Sequence, residues 1–301
     1  MKSFTFASDR FILVALVRDT GSTGVSPGLN IYDLELLRGG THDVRDAYFT
    51  RAFHFPAPSA CATLDPELMI CTDPVPVQSG RPSNEVFCTS QRDRLVVLRY
   101  WPSAVNSSFE RKAWILCVHL STLLDGWDET TRDVPWSEWG PHKTRMIKEC
   151  PVIANPDAYG MKMALIRATP PEGLHQVEIY NFNPLAVKRA NALAKSLEAH
   201  SSMQIVAHPT TIDHEHTAFQ APVTTSLPCI IHTASLPALT GSKRLSNYLH
   251  MSILLREDYV LLTVVSHFVT MLTPSDLSFR GIGNFTKQPD FPSGRHCLLS
   301  F

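Results

Sequence analysis

All-β is the fold class this sequence predicts, and three observations carry it. Strand-length apolar runs recur along all 301 residues, 22 prolines outnumber 14 glycines, and charged residues make up only 18 %, below the usual quarter of a globular chain. Proline lacks the N–H that a helix interior needs, so this composition favours short strands joined by turns. With 44 % apolar residues the chain can bury a sizeable core, and all-β units of this length often stay undivided. A single domain over residues 1–301 is therefore expected.

In chain order, Phe11-Ile-Leu-Val-Ala-Leu-Val is a continuous apolar run, the pattern of a strand covered on both faces. A Gly-, Ser- and Pro-rich loop over 20–28 follows. Leu29-Asn-Ile-Tyr-Asp-Leu then alternates apolar and polar, as a half-buried strand should. Further strands are expected at 52–55, 68–71, 85–88, 94–100 and 114–120. Later ones fall at 162–167, 175–182, 202–206, 228–233, 250–255 and 259–265. Residues 161–182 form the clearest unit, a hairpin that turns through Thr169-Pro-Pro-Glu-Gly. Proline fixes φ early in such a turn, and Gly173 can take φ > 0. One helix competes with the strands, over 184–199, where Leu185, Ala186, Ala190, Leu193, Ala194 and Leu197 fall at helical spacing. Asn183 would be its N-cap and Pro184 its first residue. An extended loop is the alternative there.

A repeat links these strands. Acidic residues open apolar runs in Asp9-Arg-Phe-Ile-Leu-Val, Asp93-Arg-Leu-Val-Val-Leu and Glu257-Asp-Tyr-Val-Leu-Leu. Second strands follow in Leu29-Asn-Ile-Tyr-Asp-Leu and Ile115-Leu-Cys-Val-His-Leu, and the hairpin supplies Val177-Glu-Ile-Tyr-Asn-Phe. From Ile31 to Cys117 is 86 residues, or two units of about 43, the period of β-propellers of the WD type. Cys117 to Ile179 is only 62, so the period is not clean. The expectation is a β-propeller-like repeat of short antiparallel sheets, its ring incomplete at this length. Uncovered sheet edges pair with other chains, so the isolated chain is expected to need a partner.

Charge and cysteines bound the function. With 27 basic and 28 acidic residues the net charge is −1, so nothing draws the whole molecule to nucleic acid. The most apolar stretch, 259–272, falls short of the ~20 residues that cross a bilayer, so no membrane partner is expected. Seven scattered cysteines with no CxxC pair point to reduced thiols. No signal-peptide plan opens the chain. A cytoplasmic or nuclear protein is expected, with the sequons at Asn106 and Asn284 unused.

Chemistry-bearing motifs are few. His208-Pro-Thr-Thr-Ile-Asp-His-Glu-His is the densest ligand cluster. In an extended chain His214 and His216 share a face, and with His208 and Asp213 they could surround a zinc ion. The spacing fits no established motif, and solvated side chains on an exposed loop are the alternative. No nucleophile elbow, catalytic-thiol signature or phosphate-binding glycine loop occurs. No cofactor and no catalytic residue are expected, and the chain reads as a binding protein. A metal-dependent enzyme using residues 208–216 is the alternative. Trp136 and Trp139, bracketed by Pro135 and Pro141, have two roles open to them. Exposed, they are aromatic anchors for a partner. Buried, they plug the junction between sheets and hold Arg145, and this packing role is preferred.

Pro-Trp-Ser-Glu-Trp-Gly-Pro-His-Lys-Thr-Arg at 135–145, followed by Tyr-Asn-Phe-Asn-Pro-Leu-Ala-Val-Lys-Arg-Ala at 180–190, resembles the large family of uncharacterised F-box proteins of mushroom-forming fungi. Arg94-Leu-Val-Val-Leu and Ser226-Leu-Pro fit the same order, so the resemblance covers most of residues 1–235. It implies a propeller-like domain that recruits a protein substrate for ubiquitination. No catalytic residues come with it. The helical F-box that docks on the ligase scaffold is not expected here, because no leucine- and proline-rich helical stretch precedes Phe4.

Overall fold

The structure, a computed structural model, describes residues 3–19, 25–38, 49–58, 67–73, 93–101, 114–125, 132–148, 155–169, 174–194, 203–213, 219–236, 249–255, 259–266 and 295–300. The strand expected at 85–88 and the turn of the 161–182 hairpin lie outside them. Within them the chain is mostly antiparallel β, arranged as four multi-stranded sheets and one small hairpin.

Sheet one holds β1 (Ser3–Phe6), β2 (Phe11–Asp19), β3 (Val25–Asp33) and β4 (Phe49–His54) in sequence order. The loop expected over 20–28 is thus partly strand: Pro27 pairs with Val17, and its carbonyl accepts from Phe55 N at 3.1 Å. Sheet two holds β5 (Glu67–Thr72), β6 (Leu95–Trp101) and β7 (Trp114–His119). A short β8 (Asp133–Val134) then returns to pair in parallel with β4, and β9 (Thr144–Lys148) completes sheet two beside β7. Sheet three has β10 (Asp157–Tyr159), β11 (Lys162–Thr169) and β12 (Leu174–Asn181). It continues through β16 (Cys229–Leu236) to β13 (Met203–Val206). Between those last two in sequence, β14 (Thr210–Ile212) and β15 (Val223–Thr225) pair as a separate hairpin. Sheet four is β17 (Leu249–Leu255), β18 (Tyr259–Ser266) and β19 (Arg295–Ser300).

Sheets one to three share one plan. Helices α1 (Leu34–Arg38), α2 (Leu120–Leu124) and α4 (Pro184–Ala194) each follow the third strand of a sheet. In all three a backbone bond closes the same corner: Leu34 N donates to Arg10 O, Leu120 N to Arg94 O and Phe182 N to Met161 O, at 2.7, 2.8 and 2.9 Å. The acid-led runs are therefore second strands, and Ile31, Cys117 and Ile179 all lie in third strands. The 86 residues from Ile31 to Cys117 hold one sheet, not two, because long connections are inserted between strands.

First strands pack in succession: β1 on β5, β5 on β10, and β10 on β17. Between sheets one and two a core forms from Leu13, Leu29, Ile31 and Phe53 against Val96, Leu98, Leu116 and Val118. A second core sets Leu95, Val97, Ile115 and Cys117 against Met163, Leu165 and Tyr180. Strands β6 and β7 are thus buried on both faces, which is why they read as unbroken apolar runs. Buried Arg94 ties the strand turns together, donating to Ala7 O at 2.6 Å and Asp73 O at 2.8 Å. Asp73 Oδ2 accepts from Gly160 N, and Gly160 O accepts from Leu95 N at 2.7 Å. Gly160 takes φ 54° in the tight β10–β11 turn, a conformation that favours glycine.

The helix expected from 184 is α4. Asn183 caps it as anticipated, its Oδ1 accepting from Leu185 N at 2.9 Å and Ala186 N at 3.4 Å. Val187 and Ala190 face inward onto Ile230. Asn183→Ala is expected to lower stability by about 1 kcal/mol, while Asn183→Asp keeps it. Urea-unfolding midpoints of the two variants check this. Among the described residues no helix is long and apolar enough to cross a membrane.

Candidate functional site

Residues 135–145 and 208–213, singled out separately in the sequence, meet in the structure. Helix α3 (Trp136–Lys143) starts after extended Pro135, with Glu138 in its first turn and His142 and Lys143 in its last. That charge order complements the helix dipole. Trp139 is fully buried, and its Nε1 donates to His54 O at 2.9 Å. Its ring lies edge-on to Phe53 at 5.3 Å and to Trp136 at 5.2 Å, and tilted against Phe55 at 6.0 Å. A Cβ on Gly140 would come within 2.3 Å of the Trp136 indole, so glycine is what lets that ring fold over the helix. Trp139 therefore plugs the junction of sheets one and two. As an exposed anchor it is corrected: its surface is spent on the core. Trp136 is half-buried, so part of its ring remains accessible.

Arg145 follows in β9, only 3 % exposed. Its Nε donates to Leu227 O at 2.7 Å. Nη1 reaches Thr210 Oγ1 at 2.9 Å and Thr225 O at 3.4 Å, and both Nη1 and Nη2 reach His208 O at 3.2 Å. Ser226 Oγ donates to Pro141 O at 2.9 Å, and Met146 N to Thr225 Oγ1 at 3.0 Å. The β14–β15 hairpin is thus clamped onto α3 and β9. Burial pulls the guanidinium's pKa down from its usual value, yet arginine stays charged. Among the described residues carbonyl and hydroxyl dipoles, not carboxylates, neutralise it.

His208 and Asp213 lie on that hairpin with exposed side chains. The structure uses the His208 carbonyl rather than its ring. His214 and His216 lie outside the described residues. Among the described residues no group of three or more His, Cys, Asp or Glu is placed to hold a metal ion. Beside α3, His54 Nε2 and Asp133 Oδ1 form an exposed pair at 3.0 Å.

The family-like segment at 180–190 is structural at its start. Tyr180 donates to Glu178 Oε2 and accepts from Arg167 Nη2 at 3.0 Å, while Arg167 Nε bridges the same carboxylate. Burial, above all, raises the Tyr180 pKa. Two thiols sit between sheets two and three. Burial pushes Cys229 up to about 11 and also raises Cys117 well above its ordinary value. Neither is a thiolate nucleophile near neutral pH.

Burial also lowers the pKa of His119 and His232, and Lys162 lowers that of His232 further. The folded state therefore binds these protons less readily than the unfolded chain, whose histidines titrate near ~6.5. Their contribution is fully present above that value and is lost as pH falls below it. Urea midpoints are expected to drop between pH 7 and pH 5, and His119→Gln should flatten the slope. An unchanged slope would remove His119 from the account.

Sequence reasoning missed Arg94, whose buried bonds join sheets one and two. The only signal available was its place at the head of a strand. Comparison of the chain with protein-family models, with curated proteins and with solved structures finds no match in any of the three.

Proposed function

We propose that this chain is a protein-interaction module whose sheets follow one another as propeller blades, and that it binds a protein or peptide through loops at one rim. The observation that carries this is the packing of β1 on β5, β5 on β10 and β10 on β17, with the same corner bond repeated in three sheets. Propellers order their first strands around an axis in that way and leave their loops free for recognition. The likeness of 135–145 and 180–190 to fungal F-box proteins supports substrate recognition in a ubiquitin-ligase adaptor as the setting.

Affinity capture on the immobilised full chain, read by quantitative mass spectrometry, tests this. A defined protein enriched over a denatured control is the expected result, and co-enriched ligase scaffold subunits would support the ligase setting. Enrichment of chaperones alone would overturn the binding role. The blade order has its own test. Thr5 Oγ1 and Thr72 Oγ1 lie 3.0 Å apart across sheets one and two. A Thr5→Cys, Thr72→Cys double variant should therefore oxidise to an intrachain disulfide, seen by peptide mapping.

A further inference from the structure

The shared plan lets each position of one sheet be matched with the next, and this inference rests on the blade order proposed above. Phe11, Leu95, Lys162 and Tyr259 each open a second strand. Counting from them, Ile12 corresponds to Val96, Met163 and Val260, and Val14 to Leu98, Leu165 and Leu262. Through the strand register, Phe6 then corresponds to Thr72, Ala158 and Leu255, and Phe4 to Ile70 and Ile253.

Burial at these positions separates sheet one from the others. Ile70, Ala158, Ile253 and Leu255 are 9, 3, 6 and 2 % exposed, because a preceding sheet covers them. Phe4 and Phe6 are 61 and 49 % exposed. Next to them Ile12 and Val14 are only half-buried, while Val96 and Met163 are closed off. The uninterrupted Phe11–Val17 run is the pattern of a strand covered twice, yet among the described residues no sheet covers the Phe4 and Phe6 face of β2. In sheet four, among the residues whose side chains are described, Leu254 on the opposite face is exposed at 36 %.

The contacts between sheets say what fits. Thr5 meets Thr72 across sheets one and two, and Asp157 Oδ2 accepts from Leu255 N at 2.7 Å across sheets three and four. Cys71 packs into the cluster that holds Ala158 across sheets two and three. Thr5, Cys71, Asp157 and Leu254 occupy one matched position, and Phe6, Thr72, Ala158 and Leu255 the other. The same rule carried one step further sets Leu254 of sheet four against Phe6 of a sheet one. Both are apolar, and both stay exposed within the chain.

We propose that two copies of the chain join end to end, sheet four of each on sheet one of the other. The two equivalent contacts close a ring of two times four sheets, within the roughly 4–8 blades that propellers use. A head-to-tail contact of this kind closes only if its rotation matches the ring, and otherwise grows into open fibres.

Sedimentation equilibrium on the full chain, with a Phe6→Cys, Leu254→Cys double variant, tests the proposal. A dimer at micromolar concentration is expected, together with an oxidised species of twice the chain mass that neither single variant forms. Phe4→Asp with Phe6→Asp should weaken dimerisation at least tenfold without changing the circular dichroism spectrum. A monomer at every concentration, open polymers, or a cross-link within one chain would each overturn it. If the Thr5–Thr72 disulfide forms in a monomer, the end-to-end contact alone is wrong. If that disulfide fails as well, the blade order falls with it.

Discussion

Trp139→Ala is expected to lower the unfolding free energy by about 3–5 kcal/mol, the usual cost of removing a large aromatic from a core. The indole is fully buried among Phe53, Phe55 and Trp136, and those rings come from strand β4, the residue that follows it and helix α3, so the gap cannot collapse by moving one side chain. Truncation also takes away the donor that satisfies the His54 carbonyl. Trp139→Phe separates the two effects. It keeps most of the volume and loses the hydrogen bond, so about 1–2 kcal/mol is expected. Scanning calorimetry should place the alanine variant on the order of 10 °C below the native chain. A loss under about 1 kcal/mol would mean that Trp139 does not fill this junction, since only an exposed aromatic is so cheap to remove.

Strand content was legible because burial on two faces writes itself into composition. Strands β6 and β7 sit between two cores, so neither face needs polar residues and both appear as unbroken apolar runs. The β11–β12 hairpin announced itself through alternation and a Pro/Gly turn. Helix α3 gave no such signal. Its sequence, Trp-Ser-Glu-Trp-Gly-Pro-His-Lys, carries a glycine and an internal proline and no apolar stripe. Tertiary contacts through Trp139 hold it, as they do most short helices. Strands β8, β14 and β15 are two or three residues long, too short to show any period.

The repeat was found in the right strands with the wrong unit. Acid-led runs open the second strand of a sheet rather than the first, so the strands read as second are third, and a period of about 43 assumed short connections. Between β7 and β9 the chain instead makes α2, returns to sheet one as β8 and builds α3. The candidate site was half legible for a related reason. Trp136, Trp139 and His208 stood out by residue type, yet nothing in one dimension shows that an arginine beside them is buried, or that a histidine contributes only its carbonyl.

Arg145→Met is the second large effect, roughly 3 kcal/mol or more. Methionine approximates the aliphatic volume, so packing is largely kept and the loss isolates the polar contacts. The carbonyls of Leu227 and His208 would lose charged donors in a buried setting, and Thr210 and Thr225 would lose theirs. A local consequence follows from what those four residues are. They lie at the open end of the β14–β15 hairpin, where Thr210 pairs with Thr225, so its hold on β9 would weaken before the sheets do. Limited proteolysis should cut the variant between β14 and β15 at protease levels that leave the native chain intact. Arg145→Lys should recover only part of the loss, because one ammonium cannot reproduce a planar fork aimed at several carbonyls. Equal stability in the lysine and native chains would show that charge alone holds the hairpin. Equal protease resistance in all three would show that Arg145 does not clamp it.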